Sequence, residues 1–292
     1  MTLDPFAPLA SRRLDIERAI DTAIEKDPGA WRQTMASVLE IMEDWRRGNE
    51  PERSHLGASV IGVGCGTRVA LDYRKASEDK PDGRLIRLFN RGHMEEARLV
   101  AAITVAGIKC KTTSKHGGQI SYELRGVRGS VDGVARLQDG RLAVLEFKTM
   151  SQRPFDELCR TGNIKDQHMT QMQCGMAGLG LGVALYVACH KDTDTIAVFE
   201  VASDPSIAAE ADDLAFEIVH GAIPEVEFQK GSLQCKYCPH KAICHSGEAP
   251  VARCETCVHA VSDGNGRWSC SVANFGQLCD SYSPIQVTRG AL

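Results

Sequence analysis

The 292-residue chain has no run approaching the roughly 18 to 20 apolar residues that a bilayer-spanning helix needs, and its opening, MTLDPFAPLASRRLDIERAI, lacks the apolar centre of a secretory signal. Neither a membrane nor an exported role is expected. Charge of one sign is not in excess: 34 Lys and Arg stand against 38 Asp and Glu, a formal net charge of −4. That excludes a surface that is a polycation throughout, and leaves room for a local basic groove. Repeats on the order of 20 to 50 residues and low-complexity tracts are missing, which excludes solenoids and arrays. What remains, 43% hydrophobic and 25% charged residues, is the composition of a globular protein.

Cysteine is plentiful. Of 12, seven (Cys235, Cys238, Cys244, Cys254, Cys257, Cys270 and Cys279) crowd the C-terminal end. Without a secretory signal, such crowding points to metal ligation before disulfides. Cys254-x2-Cys257-x12-Cys270-x8-Cys279 is a complete four-thiolate set, with Asp263-Gly-Asn-Gly266 as a tight turn between two short strands. The spacing predicts structural Zn²⁺, with His259 as a substitute ligand, and four thiolates leave no open position for catalysis. Cys235-x2-Cys238-x5-Cys244 is one thiolate short of a closed tetrahedral or cubane site. His240 or His245 would complete it locally as zinc. Cys110, Cys159, Cys174 and Cys189 have no ligand spacing and read as small buried hydrophobes.

Along the chain, helical apolar spacing from about Leu9 to Trp45, broken at Asp27-Pro28-Gly29, predicts two helices. A short helix carries Cys65, and a long one runs from Leu85 to Ala106. Short Val- and Leu-rich segments (Ile120–Leu124, Ser130–Leu137, Arg141–Lys148, Gly182–Cys189, Thr195–Val201) predict strands. Helices are expected over Phe155–Leu181 and Ile207–His220, and periodicity ends at Gly231. The pattern is α/β or α+β with a Cys-rich appendage.

Glu146 and Lys148 are two apart on a predicted strand, hence on one face, while Phe147 points to the other layer and leaves its carbonyl beside them. Asp132 precedes them on the neighbouring strand. A two-residue turn at Asp139-Gly140 would set Asp132 opposite Phe147 and on the wrong face. A three-residue loop, Gln138-Asp139-Gly140 with Gly140 left-handed, sets it opposite Glu146. In that register two carboxylates and a carbonyl suit Mg²⁺ or Mn²⁺, and Lys148 can place a water and steady phosphate charge. The plainer alternative is a turn at Asp132 beside an ordinary same-face ion pair.

This arrangement resembles the PD-(D/E)xK nuclease superfamily, and the surrounding pieces its RecB-type branch, which includes phage exonucleases and CRISPR-associated exonucleases with an iron-sulfur cluster. Asn90-Arg-Gly-His-Met-Glu-Glu96 is similar to the branch's first motif, where a residue four after the glycine reaches the metal; by that spacing it is Glu96, with His93 and Glu95 as runners-up. His168-Met-Thr-Gln171-Met-Gln-Cys-Gly175 resembles its Q-x-x-x-Y helix, with Gln171 as the glutamine and Gly175 where the tyrosine would stand. Ser59-Val-Ile-Gly-Val-Gly-Cys65-Gly-Thr-Arg68 stands where iron-sulfur members carry a distant ligand, so the resemblance implies a 4Fe-4S cluster on Cys65, Cys235, Cys238 and Cys244.

The resemblance further implies a restriction-endonuclease-like mixed sheet flanked by helices. Residues 1–54 would be an N-terminal helical segment, 55–245 the nuclease core with its cluster, and 246–292 the zinc tail. The implied activity is a Mg²⁺- or Mn²⁺-dependent deoxyribonuclease, an exonuclease acting on DNA ends or single strands. Glu96, Asp132, Glu146 and the Phe147 carbonyl would be metal ligands, Lys148 would place the water, and Gln171 would steady the site. A cytoplasmic protein, bacterial or phage-encoded, with a recombination or CRISPR-type partner, is the corresponding setting. A scaffold or nucleic-acid-binding protein that kept the fold without catalysis is the rival, and the missing tyrosine is its support.

Overall fold

The computed structural model describes residues 11–46, 55–78, 81–264 and 266–289. In chain order the elements are β1 (Ser11–Leu14), α1 (Glu17–Lys26), α2 (Pro28–Arg46), α3 (Ala58–Ile61), α4 (Gly66–Tyr73), α5 (Gly83–Val105), β2 (Lys109–Lys111), β3 (Ile120–Glu123), β4 (Arg128–Val131), β5 (Gly133–Arg136), β6 (Leu142–Met150), α6 (Gln152–Thr161), α7 (Asp166–Leu179), β7 (Val183–His190), β8 (Ile196–Ala202), α8 (Pro205–Val219), α9 (Leu233–Lys236), α10 (Lys241–Ser246), β9 (Ala260–Ser262) and β10 (Trp268–Cys270). Contacts divide the chain into two discontinuous units. One holds Met1–Glu50, Pro81–Tyr122 and Ser130–Pro205; the other holds Pro51–Lys80, Glu123–Gly129 and Ser206–Leu292.

The first unit is built on a six-stranded sheet in the order β1-β8-β7-β6-β5-β2. β6 and β7 pair in parallel and the other neighbours are antiparallel, so the sheet is mixed. Alternation assigns the two faces. Ala143, Leu145 and Phe147 of β6 and Val183, Leu185, Val187 and Cys189 of β7 pack with Ile20 of α1 and Leu99, Val100, Ala102 and Ile103 of α5. The even-numbered residues of β6 face the opposite side, where Gly175 of α7 lies against Val144. The first three turns of α5 stand mostly exposed and carry Arg84, Arg87 and Arg91 at i, i+3 and i+7, one stripe of the helix.

One expectation is corrected here. The start of the first predicted helix is instead strand β1, whose Arg12 and Arg13 sit opposite Glu200 and Phe199 of β8; strand pairing with a distant segment overrides local helical spacing. Leu9 lies outside the described residues, as do 47–54 of the polar stretch that follows α2. The mostly helical stretch expected over Phe155–Leu181 is α6 and α7, because the chain leaves α6 at Gly162 in the left-handed conformation. Among the described residues, no helix is long and apolar enough to cross a membrane.

The second unit has a small core of Leu71, Ala76, Val226, Cys244 and Ile285. Asp212 of α8 accepts hydrogen bonds from the Gly126 and Val127 N–H groups at 2.6 and 3.1 Å, anchoring the turn before β4. β9 and β10 form a short antiparallel ribbon, closed by Asp263 N–H to the Arg267 carbonyl at 3.0 Å. The turn predicted at 263–266 sits there, although residue 265 lies outside the described set.

Candidate active site

The β5–β6 turn fixes the register on which the site depends. Leu137 N–H bonds the Arg141 carbonyl at 2.9 Å and Gly140 N–H bonds the Leu137 carbonyl at 3.0 Å, which leaves the three residues 138–140 as the loop. Gly140 has φ +87°, the left-handed conformation such loops require. Pairing then runs Arg136 to Leu142 through Gly133 to Leu145, and its continuation sets Asp132 opposite Glu146. Hydrogen-bonded pairs fall at every second position from Leu137 and Arg141, so Asp132 and Glu146 occupy a non-hydrogen-bonded position, where facing side chains come closest. At Asp132 the chain bends and β4 gives way to β5. Phe147 N–H would otherwise meet Val131 in the ladder; it donates instead to Asp132 Oδ2 at 2.9 Å.

Glu146 is 1% exposed and ion-pairs with Lys148, whose side chain is 26% exposed. Burial, joined by the repulsion of Glu146 and Glu96, holds the Asp132 carboxyl well above its ordinary range, although Lys148 and the Phe147 N–H oppose the shift. Burial likewise raises Glu146 against the pull of Lys148, with Glu96 adding to the rise. Burial alone would lower the Lys148 ammonium, but Glu146, Asp132 and Glu96 outweigh it and hold it above the usual lysine value. Glu96, on α5, is thus close enough to act on all three, and its carboxylate also lies 3.5 Å from His93 Nδ1. Glu95 is turned aside, held by Arg98 at 2.9 Å.

These oxygens fit a hard divalent cation. Asp132 and Glu146 face each other across the β5–β6 register and are destabilised as anions by burial, Glu96 is near enough to act on both, and the Phe147 carbonyl lies on the strand edge from which β4 has bent away. Among the described residues, no three His, Cys, Asp or Glu side chains are already drawn into metal-ligating geometry.

The roof is α7. His168, Gln171 and Gly175 share one of its faces, and Gln171 is half-buried there. Gly175 has an evident packing reason: a Cβ at that position would stand 2.9 Å from Val131 Cγ1, and one at Gly178 would stand 2.5 Å from the Tyr122 ring. The aromatic ring near this end of the helix comes from β3 instead. Sequence reasoning missed Tyr186 of β7, which is fully buried and lies beside Glu146 in the parallel register. Its hydroxyl lies 2.7 Å from His168 Nδ1. An apolar run of eight residues gives no signal that one tyrosine in it meets a histidine.

A family model described as the PD-(D/E)XK nuclease superfamily matches residues 10–245. The chain belongs to that superfamily. Among solved structures it is similar to an alkaline exonuclease, LHK-Exo, from Laribacter hongkongensis, at 16% identity and TM-score 0.41 over 57% of this chain and 86% of that one. The same exonuclease in complex with dAMP gives 17% and 0.40 over the same shares. The protein crystallised as SSO0001 gives 17% and 0.44 over 71% of this chain and 94% of that one. No curated protein matches.

Outside the acidic site of this superfamily member, two cysteine groups are gathered within the second unit, and none of the twelve cysteines is in a disulfide. Cys65, Cys235, Cys238 and Cys244 line a single cavity with Arg68, Lys241 and His245. Cys65 caps the N-terminus of α4, its sulfur accepting from Arg68 N–H at 3.4 Å. Burial raises the thiols of Cys65 and Cys244, and neighbouring cysteines of the set add to the rise. His240 has both ring nitrogens committed, to Asp72 Oδ1 and Ser77 Oγ, each at 2.8 Å, which removes it as a ligand. His245 Nε2 lies 3.4 Å from Cys235 Sγ. Cys254, Cys257, Cys270 and Cys279 line a second cavity with Phe275 and Tyr282, and His259 is not among its lining residues.

Proposed function

We propose that the protein is a divalent-metal-dependent DNA nuclease, an exonuclease acting at DNA ends or on single strands. The observation that carries this is the register: Asp132, Glu146 and Lys148 meet on one sheet face, with Glu96 brought to them by α5. Glu96, Asp132, Glu146 and the Phe147 carbonyl would hold Mg²⁺ or Mn²⁺. That ion, when bound, supplies charge to offset the phosphate and lowers the pKa of a water. Lys148, paired with Glu146 and a quarter open to solvent, orients the attacking water and neutralises phosphate charge. Gln171, half-buried on the same face of α7 as His168, would steady the site. The exonuclease preference rests on the motif order Glu96, Asp132, Glu146, Lys148, Gln171 shared with the RecB-type branch. DNA as partner gains support from the arginine stripe on exposed α5, a local basic surface in a chain of net negative charge.

We also propose a 4Fe-4S cluster on Cys65, Cys235, Cys238 and Cys244, and structural Zn²⁺ on Cys254, Cys257, Cys270 and Cys279. Each reading is supported by four cysteines facing one cavity.

The test of the nuclease is cleavage of end-labelled single- and double-stranded DNA with and without Mn²⁺. Lys148→Ala and Glu146→Gln should each lower the rate by about a hundredfold or more while the protein stays folded at the assay temperature, the scale of one electrostatic catalytic group. Near wild-type cleavage by Lys148→Ala would remove the mechanism, and no metal-dependent cleavage by the wild type would favour the non-catalytic scaffold.

A further inference from the structure

Neither metal ligation nor Lys148 accounts for the histidine and tyrosine beside the acidic site. Tyr186 neighbours Glu146 across the parallel β6–β7 ladder, so both side chains rise from the same sheet face. The phenol ring is wholly buried and lies 5.8 Å from the His168 ring at 30°. Its hydroxyl has one hydrogen-bond partner among the described residues, His168 Nδ1 at 2.7 Å. Burial and the adjacent Glu146 keep that hydroxyl protonated. A phenol with one proton and one partner donates to it, which makes Nδ1 the acceptor and puts the imidazole's own proton on Nε2. A second proton is opposed, because burial, Lys148 and Lys165 pull His168 down to about 3. The result is a neutral ring whose N–H edge stays protonated across the pH range of ordinary enzymes. It stands on the helix face that roofs Glu146 and Lys148, and no hydrogen bond from Nε2 is formed within the described residues.

We propose that His168 contacts the substrate in the nuclease site, as a neutral Nε2–H donor to a non-bridging oxygen of the scissile phosphate, and that Tyr186 is a positioning residue that fixes the tautomer. This rests on the nuclease reading above. A neutral donor suits a position beside a protonated lysine: it adds a directed hydrogen bond where a further cation would be repelled. It also explains a costly choice, since burying a tyrosine hydroxyl is tolerable only where a partner takes its proton.

The test uses the full-length protein in two measurements. In the first, ¹⁵N-histidine-labelled wild type is followed by NMR from about pH 5 to 8, a span that brackets the ordinary histidine titration, with His168 assigned by the signal lost in His168→Gln. A single neutral Nε2–H tautomer that does not titrate is expected, and Tyr186→Phe should release it to a tautomer mixture. An Nδ1–H tautomer, or ordinary titration in the wild type, would overturn the inference. In the second, single-turnover cleavage of saturating end-labelled DNA with Mn²⁺ compares the variants, with thermal melting as the folding control. His168→Ala should slow cleavage by about a hundredfold, the scale for one lost transition-state donor. His168→Gln, whose amide N–H₂ reaches the same place, should recover part of it, and Tyr186→Phe should fall between. Cutting by His168→Ala within about twofold of wild type, too small to be a lost transition-state donor, would sink the inference while leaving the nuclease standing. A wild type that cuts neither substrate sinks both.

Discussion

At the scale of single residues the acidic site is a place of conflict, and conflict makes its behaviour predictable. Asp132 is raised by burial and by the charges of Glu146 and Glu96, and Glu146 by burial and by Glu96, so the metal-free fold carries an electrostatic cost that a cation would relieve. Asp132→Asn keeps an oxygen to accept from Phe147 N–H and removes one charge. It should raise the stability of the metal-free protein by roughly 0.5–2 kcal/mol, as substitutions at strained functional sites commonly do. The order should reverse with metal: Mn²⁺ at about a hundred times its Kd adds about 2.7 kcal/mol to the wild type and little to the variant. Denaturant melts with EDTA and with Mn²⁺ read both, and a variant less stable than wild type in EDTA would show that the carboxylates are not in conflict. His168 carries a second linkage. Its pKa falls from 6.5 to about 3, so below pH 6.5 the unfolded chain binds a proton that the folded one refuses. Stability contributed by the neutral ring is therefore present above about 6.5 and is lost as pH falls toward 3. His168→Gln should flatten that slope in melts taken from pH 7 to 4. An unchanged slope would show that His168 already takes up its proton in the fold.

At the scale of elements, what was legible in the sequence was what depends on local rules. Glu146 and Lys148 share a face because strands alternate; turn chemistry leaves two registers for Asp132, of which the three-residue loop with left-handed Gly140 is preferred because it makes a metal site. What escaped is set by tertiary packing. β1 is a strand because β8 offers it a partner, and Tyr186 meets His168 because α7 crosses β7; neither leaves a mark in its own segment. Gly175 is the intermediate case. Its place in the motif was visible, but its reason lies in the contact between α7 and the strands beneath it. That contact makes a forecast: Gly178→Ala would push a methyl to 2.5 Å from the Tyr122 ring and should cost about 1–3 kcal/mol by overpacking. Tyr122→Ala should cost stability alone yet recover part of the loss in the double variant. Simple additivity of the two would mean that helix and ring do not touch in solution. By the same contact, restoring the family's aromatic with Gly175→Tyr should destabilise the protein, since Val131 already occupies the approach.

At the scale of the whole molecule, the chain combines a nuclease-superfamily sheet with a unit whose own core is small. The five buried members of that core are Leu71, Ala76, Val226, Cys244 and Ile285, and Cys244 belongs at once to the core and to the first cysteine cavity. A small core beside two four-cysteine groups is the situation in which bound metal becomes folding energy. Cys65 and Cys244 are far apart in sequence, and closing so long a loop through one cluster would remove unfolded-state freedom on the order of several kcal/mol in the chain-entropy picture. Cys65→Ser should therefore damage the second unit as severely as Cys244→Ser, with loss of iron and of visible absorbance in protein purified without oxygen. Cys110→Ser, on β2 of the other unit, should leave colour and melting unchanged. Cys254→Ser should lower zinc and expose the chain beyond residue 250 to protease while leaving iron in place. Iron and zinc per chain, absorbance and limited proteolysis on the four variants separate these outcomes. Full iron in Cys65→Ser would show that the fourth ligand is local, and His245, 3.4 Å from Cys235 Sγ, would then be the residue to change next.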